Sequence, residues 1–256
     1  MNESVMRTIF VAFLVCLFCS MLVSYAAVSL REDQLSNKLN DQRTTILEAA
    51  GIYNANESVE SQFQSLTIKF INFETGELLD NYEGIDINNY DQVKYSRKEG
   101  YYTLLSEDED IATLRRKENI GKIYILENTS NEITKIILPI RGYGLWGTLY
   151  GYIALAGDFN TIEGLEFYDH KETPGLGGEV DNPTWKKKWI GKKIYDNNNV
   201  SLEVIKGSVN SQDDMSIYKV DGLSGATITS RGVTNMIKFW FSDSGYKKAL
   251  QDLKDA

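Results

Sequence analysis

Residues 122–156 read KIYILENTSNEITKIILPIRGYGLWGTLYGYIALA, and this stretch decides the fold class. KIYILE (122–127) and ITKIILPI (133–140) are rich in β-branched residues. Asn128-Thr129-Ser130-Asn131 between them is turn chemistry, so the pair predicts a β-hairpin. GTLYGYIALA (147–156) predicts a third strand. Strands that follow one another as hairpins, rather than alternating with helices, point to an α+β fold with a mixed sheet and flanking helices. Upstream, Leu66, Ile68 and Phe70 alternate with Thr67 and Lys69 as in a half-buried strand. Residues 73–121 are polar, and Glu107-Asp108-Glu109-Asp110 there reads as a solvated loop or helix face, without EF-hand spacing. Downstream, 157–195 is loop-rich and holds Pro174 and Pro183. Strands are predicted at 201–206 and 216–220, then helices at 227–241 and 245–254.

Residues 8–30 carry no charge, and nineteen of these 23 are apolar. As a helix they span about 35 Å, against roughly 30 Å of hydrocarbon. Ser24-Tyr25-Ala26 would suit a signal peptidase, but the apolar part of a signal peptide is usually ~7–15 residues. Neither Cys16 nor Cys19 follows a small residue, which argues against a lipoprotein. The expectation is therefore one uncleaved transmembrane helix over 8–30. A short arm, 1–7, stays inside, and 31–256 lies outside. Leu35, Leu39, Ile46 and Ala50 recur at helical spacing after the anchor, and Gly51 closes that segment.

Arg7 and Glu3 cancel, so the 226 residues after the first thirty keep the whole net charge of −9. Such an acidic domain is a poor ligand for nucleic acid or anionic lipid. Both cysteines lie in the apolar run and the only histidine is His170. Zinc hydrolases, thiol enzymes and iron–sulfur proteins are thereby excluded, and no metal ligands are expected.

Gly142-Tyr143-Gly144-Leu145-Trp146-Gly147 fits G-x-G-x-x-G, but a strand follows where a phosphate-binding helix should begin. A glycine-rich hairpin presenting Leu145 and Trp146 accounts for it better, and core packing explains the pair equally well. His170-Lys171-Glu172-Thr173-Pro174-Gly175-Leu176-Gly177-Gly178-Glu179 lets backbone N–H groups approach a ligand, with Glu172 and Thr173 as polar contacts. Trp185-Lys186-Lys187-Lys188-Trp189-Ile190-Gly191-Lys192-Lys193 reads as buried tryptophans among solvated lysines, with a docking surface for an acidic partner as the alternative. Asp221-Gly222-Leu223-Ser224-Gly225-Ala226-Thr227-Ile228-Thr229-Ser230 opens a helix whose start favours an anion. Ser224 as an ordinary helix N-cap explains the same residues.

Asp221-Gly222-Leu223-Ser224-Gly225-Ala226-Thr227 resembles the flavinylation motif of the FMN-binding domain family, and Glu172-Thr173-Pro174-Gly175-Leu176-Gly177 is similar to that family's second hallmark. The resemblance implies one covalent FMN per chain, joined through its phosphate to Thr227 by a flavin transferase. Asp221, Ser224, Gly225 and Ala226 would be recognised by that transferase. It further implies ring contacts from Leu145, Trp146, Glu172, Thr173, Gly175, Leu176 and Gly177, and an FMN-binding part of roughly 122–245. Two branches share both motifs, the G subunits of Rnf complexes and the C subunits of sodium-translocating NADH:quinone reductases. Length, the Gly144-Leu145-Trp146 hairpin and Gly177-Gly178-Glu179-Val180-Asp181-Asn182-Pro183 resemble the second more. That branch implies a single-electron relay between NADH oxidation and quinone reduction, coupled to sodium export. Its partners are the FMN-bearing B subunit, membrane subunits holding iron, and the lipid bilayer of the inner membrane, with 1–7 in the cytoplasm and 31–256 on the periplasmic side. The rival readings are a non-enzymatic anchored binding module and a solitary FMN domain feeding an extracellular reductase.

Overall fold

A computed structural model describes residues 2–255. It comprises two units, one ending at Gln42 and one beginning at Arg43. The first holds α1 (Asn2–Ser29) and most of α2 (Arg31–Ala49). Leu30 donates to the Ala26 carbonyl at 3.0 Å and accepts from Gln34 at 2.9 Å, so helical hydrogen bonding runs on from α1 into α2. Val5–Ser29 is long and apolar enough to cross a membrane, and its side chains are exposed. Leu35 and Leu39 are exposed as well, whereas Ile46, Leu47, Ala49 and Ala50 in the second unit are buried.

The second unit continues with α3 (Val59–Phe63), β1 (Leu66–Asn72), β2 (Leu78–Leu79), α4 (Gln92–Tyr95), β3 (Tyr102–Leu104) and β4 (Arg116–Glu118). The central strands follow: β5 (Ile120–Glu127), β6 (Ile133–Tyr143), β7 (Thr148–Ala156) and β8 (Ile162–Asp169). Then come α5 (Pro183–Lys186), β9 (Tyr195–Asp196), β10 (Asn199–Val200), β11 (Glu203–Val204), β12 (Lys219–Val220), α6 (Thr227–Trp240) and α7 (Lys247–Asp255). Six strands form one sheet in the order β2-β1-β5-β6-β7-β8. Every pairing in it is antiparallel, and among the described residues parallel pairing is confined to β11 with β12.

Both faces of this sheet are covered, which explains why most positions of β5, β6 and β7 are apolar. Ile123, Ile125, Ile136, Leu138, Ile140, Leu149 and Ile153 point to one side, where Val233, Met236, Ile237 and Trp240 of α6 meet them. Their neighbours Tyr124, Ile137, Tyr152 and Ala154 point to the other side, against Ile46, Leu47, Ala49 and Ala50. Gly164 of β8 allows the second contact, because a Cβ there would stand 2.1 Å from the Ala49 carbonyl oxygen. The Asn128 side chain accepts from Ser130 and Glu132 at 2.8 and 3.0 Å and shapes the β5–β6 turn.

Two local expectations are corrected. Residues 162–169, read as part of a loop, form β8; Glu163, Gly164 and Glu166 dilute its apolar pattern, and two register shifts interrupt its pairing with β7. Residues 216–220, read as a strand, pair only at Lys219 and Val220, because the Asp213 carboxylate accepts from Met215 and starts a 3-10 turn over Asp214–Tyr218. The polar 73–121 stretch is ordered around a small cluster of Phe70, Tyr90 and Ile120. Asp86 and Asp91 cap its short helical turns.

One buried ion pair stands out. Arg141 of β6 clasps Glu118 of β4 through both terminal guanidinium nitrogens, and the Gln92 amide donates to the same carboxylate. Glu118 is 0% exposed. The Arg141 carbonyl accepts from Trp240 Nε1 at 2.7 Å, which ties the end of α6 to β6.

Candidate functional site

The β6–β7 hairpin closes with Gly144 donating to the Gly147 carbonyl at 2.8 Å. Leu145 and Trp146 at its tip are 41% and 63% exposed. Glycine on both partners brings α6 against this hairpin. A Cβ on Gly142 would lie 2.7 Å from Met236 Cβ, and one on Gly232 would lie 2.4 Å from the Tyr143 carbonyl oxygen. The Tyr143 N–H donates to Ala112 at 2.9 Å, so the loop that follows the acidic run fixes the hairpin from another side.

Glu172, 5% exposed, is where the separate segments join. Its Oε1 accepts from the N–H groups of Leu145 and Trp146, both at 2.9 Å, and its Oε2 accepts from the Thr229 hydroxyl of α6. Burial by itself would push this carboxyl up. The Thr229 hydroxyl and the N–H groups of Trp146, Leu145 and Gly147 outweigh burial and hold it below its ordinary value. The stability it contributes is therefore present above the unfolded-state pKa and is lost as pH falls through the lower folded one. Both oxygens of Glu172 accept hydrogen bonds from the protein, so this carboxylate ties the hairpin tip to α6. Thr229 was not singled out from the sequence; lying two residues after Thr227, it was hidden inside the helix start.

The absence of side chains at Gly144 and Gly177 makes room for this carboxylate. A Cβ on Gly177 would stand 2.5 Å from Glu172 Oε2 and 2.6 Å from Thr229 Oγ1, and one on Gly144 would stand 2.6 Å from Glu172 Oε1. Gly177→Ala is expected to cost about 1–3 kcal/mol, the usual range for overpacking, measured by urea unfolding. Wild-type stability in that variant would mean that the bracket has slack. In the same loop Thr173 is exposed, and its carbonyl accepts from Leu176 and Gly178 at 3.1 and 2.9 Å. Gly175 turns the chain at φ 75°. The loop presents Leu176, 45% exposed, which reaches the helix start: a Cβ on Gly225 would be 3.0 Å from its Cδ2. His170 Nδ1 accepts from the Glu172 N–H and Nε2 bonds Asp181, so this histidine supports the loop.

At the start of α6 the N-cap position is Ala226, and no side chain caps it. Ser224 is exposed and is not the cap that its position suggests; the Ser230 hydroxyl instead accepts from the Leu223 N–H at 3.0 Å. Gly225, at φ 72°, makes the turn into the helix. Thr227 follows as the first helical residue and is exposed. An uncapped helix start has free N–H groups and a dipole that favours an anion. Asp221 is structural in part: its carboxylate takes Lys188 Nζ at 2.6 Å and the Val209 N–H at 2.7 Å, while its carbonyl takes Trp185 Nε1 at 2.8 Å. Burial raises its pKa, and Lys188 with the Val209 N–H more than reverses that. The tryptophans of 185–193 are buried as expected, and Lys186 and Lys188 are paired with Glu166 and Asp221.

A cleft of about 710 Å³ opens beside Thr227, lined among others by Lys188, Lys206, Ser224, Arg231 and Lys238. Leu145, Trp146 and Leu176 are exposed where the hairpin, the 172–178 loop and α6 meet, as is Ile228, next to Thr227. An accessible threonine hydroxyl, a cation-lined cleft and an apolar platform fit FMN, whose phosphate is anionic and whose ring system is flat and largely apolar.

The family model that matches, described as FMN-binding domain, spans residues 144–242 and so covers all three segments. The C subunit of the Na(+)-translocating NADH-quinone reductase of Pseudomonas aeruginosa is 42% identical over 258 residues, covering 99% of this chain and 97% of its own. Its counterpart in Vibrio anguillarum is 38% identical, with the same coverage of both chains. Among solved structures, Shewanella oneidensis NqrC matches with a TM-score of 0.77 at 30% identity, covering 86% of this chain and 100% of that one. The C subunit from Parabacteroides distasonis matches at 0.63 and 33%, covering 86% and 96%.

Proposed function

The chain belongs to the family of Na(+)-translocating NADH-quinone reductase C subunits, and from that membership we propose how its residues serve the complex. It is an FMN-binding, electron-carrying subunit of a membrane-anchored oxidoreductase and works with the other subunits of that complex. The full-length likeness to C subunits favours this reading over an Rnf G subunit or a plain binding module.

The observation that carries the site assignment is the exposed Thr227 at the uncapped start of α6, beside the cleft and close to the exposed Leu176. Thr227 is the attachment residue, joined through its hydroxyl to the FMN phosphate, with the first-turn N–H groups of α6 facing the negative charge. Leu145, Trp146 and Leu176 pack on the ring, and the loop through Thr173, Gly175 and Gly177 borders it. Glu172 holds that loop, the hairpin tip and Thr229 together. Asp221 and the exposed Ser224-Gly225 turn leading to Ala226 form the surface that a flavin transferase reads. FMN supplies one- and two-electron chemistry that no side chain here offers; the protein supplies attachment, orientation and electrostatics.

Residues 1–7 lie in the cytoplasm and 31–256 on the periplasmic side, an orientation supported by the short, weakly charged arm. Electrons come from and go to the iron-bearing membrane subunits and the FMN-bearing B subunit. Residues 8–30 contain no charge, so this helix offers no path for sodium, and ion movement belongs to the assembled complex. A tagged full-length chain drawn from native membranes is expected to bring the other subunits and NADH:quinone reductase activity with it. Recovery of the chain alone, with that activity left in the unbound fraction, would contradict the proposal.

A further inference from the structure

The cleft beside Thr227 carries more positive charge than its own carboxylates neutralise. Lys188, Lys206, Arg231 and Lys238 line it, against Asp221 and Glu203, in a chain whose net charge is −9. Lys188 is spent on Asp221 at 2.6 Å. Arg231, Lys206 and Lys238 take part in no ion pair among the described residues. Lys238 lies about 16 Å along α6 from Thr227, out of reach of a phosphate attached there. Arg231 lies one turn on, at the i+4 position, on the same helix face as Thr227. Lys206 is held at the other wall: Ile205 donates to Val220 at 2.9 Å and Gly222 to Gly207 at 2.8 Å. A Cβ on Gly222 would sit 2.3 Å from the Ile205 carbonyl oxygen, so that wall cannot move away without breaking these contacts.

We propose that Arg231, assisted by Lys206, holds the phosphodiester that joins FMN to Thr227, and so aims the flavin from its attachment point. The proposal rests on Thr227 being the attachment residue. A phosphodiester keeps one negative charge shared by two non-bridging oxygens, and a guanidinium fork meets two such oxygens at once. A threonyl side chain turns about its own bonds, so a single covalent link leaves the flavin free to swing. A second grip on the phosphate removes that freedom.

The test uses the full-length flavinylated chain with Arg231→Gln, Arg231→Lys and Lys94→Gln. A yellow fluorescent band after denaturation first establishes the attachment; a dark wild-type band sinks the Thr227 reading itself and is thereby told apart from failure of the present one. With flavin attached, Arg231→Gln is expected to shift the phosphorus NMR resonance of the diester and to lower flavin fluorescence anisotropy. Arg231→Lys should restore part of both, and Lys94→Gln, at a surface lysine of α4 outside the cleft, should leave both at wild type. If Arg231→Gln prevents attachment, free FMN is titrated into Thr227→Ala and Thr227→Ala/Arg231→Gln chains. The dissociation constant should then rise about tenfold or more, as for one lost charge-assisted hydrogen bond. Unchanged resonance and anisotropy, or equal FMN affinity, overturns the proposal. So does an Arg231→Gln chain whose sole defect is loss of contact with the other subunits, which would assign the cleft to a protein partner.

Discussion

Thr227→Ala is expected to yield a folded chain that carries no covalent flavin, in a complex whose NADH-driven quinone reduction falls to the background of inactive membranes. The fold has little stake in this side chain. Thr227 is exposed, no side-chain hydrogen bond caps the helix at this point, and alanine is the better helix former. The stability change should therefore stay within about 0.5 kcal/mol, as for most surface substitutions. Loss of activity with an unchanged unfolding curve separates a missing attachment from a misfolded domain. Thr227→Ser, which keeps a hydroxyl at the same place, should retain some flavin. An alanine variant with full activity and a fluorescent band would place the link elsewhere.

The largest effect on stability is expected at Glu118. Glu118→Gln keeps the shape of the side chain and takes the charge away from a guanidinium that is itself buried and bound to both carboxylate oxygens. Removing one partner of such a pair costs about 3–5 kcal/mol, because the other is left as an uncompensated buried charge. That is a large share of the roughly 5–15 kcal/mol of a typical domain. Arg141 stands at the root of the hairpin that presents Leu145 and Trp146, and its carbonyl holds Trp240, so the loss would loosen the platform and α6 together. Replacing both partners, Glu118→Leu with Arg141→Met, should recover most of the loss. Urea midpoints of the full-length chain in detergent check both statements; a single variant within about 1 kcal/mol of wild type would show that water reaches the pair.

The elements that could be read from the sequence are those in which one simple pattern runs uninterrupted. The β5, β6 and β7 strands announce themselves because both faces of the sheet are covered and nearly every position is apolar. Residues 8–30 contain no charge to break the anchor, and Val233, Met236, Ile237 and Trp240 mark the buried face of α6. Elsewhere a local interaction outweighs the pattern. Two glutamates and a glycine mask β8, and Asp213 turns a β-prone segment into a 3-10 turn. Ser224 looks like the cap of α6, yet the bond closing that turn comes from Ser230, which sequence spacing does not single out.

The candidate site divides in the same way. Residues 172–177 and 221–227 stand out as motifs, but the role of Glu172 depends on contacts with Leu145, Trp146 and Thr229, which lie 27, 26 and 57 residues away. A carboxylate that reads as a ligand contact also braces the hairpin, the loop and the helix against one another. Gly144 and Gly177 are needed for the space that strut occupies, a requirement visible only once the three segments are together.

The most direct measurement is tandem mass spectrometry of the proteolytic peptide containing Thr227, from the subunit isolated out of the native complex. The account predicts a peptide heavier by one FMN less one water, with fragments that carry the added mass on Thr227. An unmodified peptide at full recovery, or the same added mass on Thr229 or another residue, would contradict it.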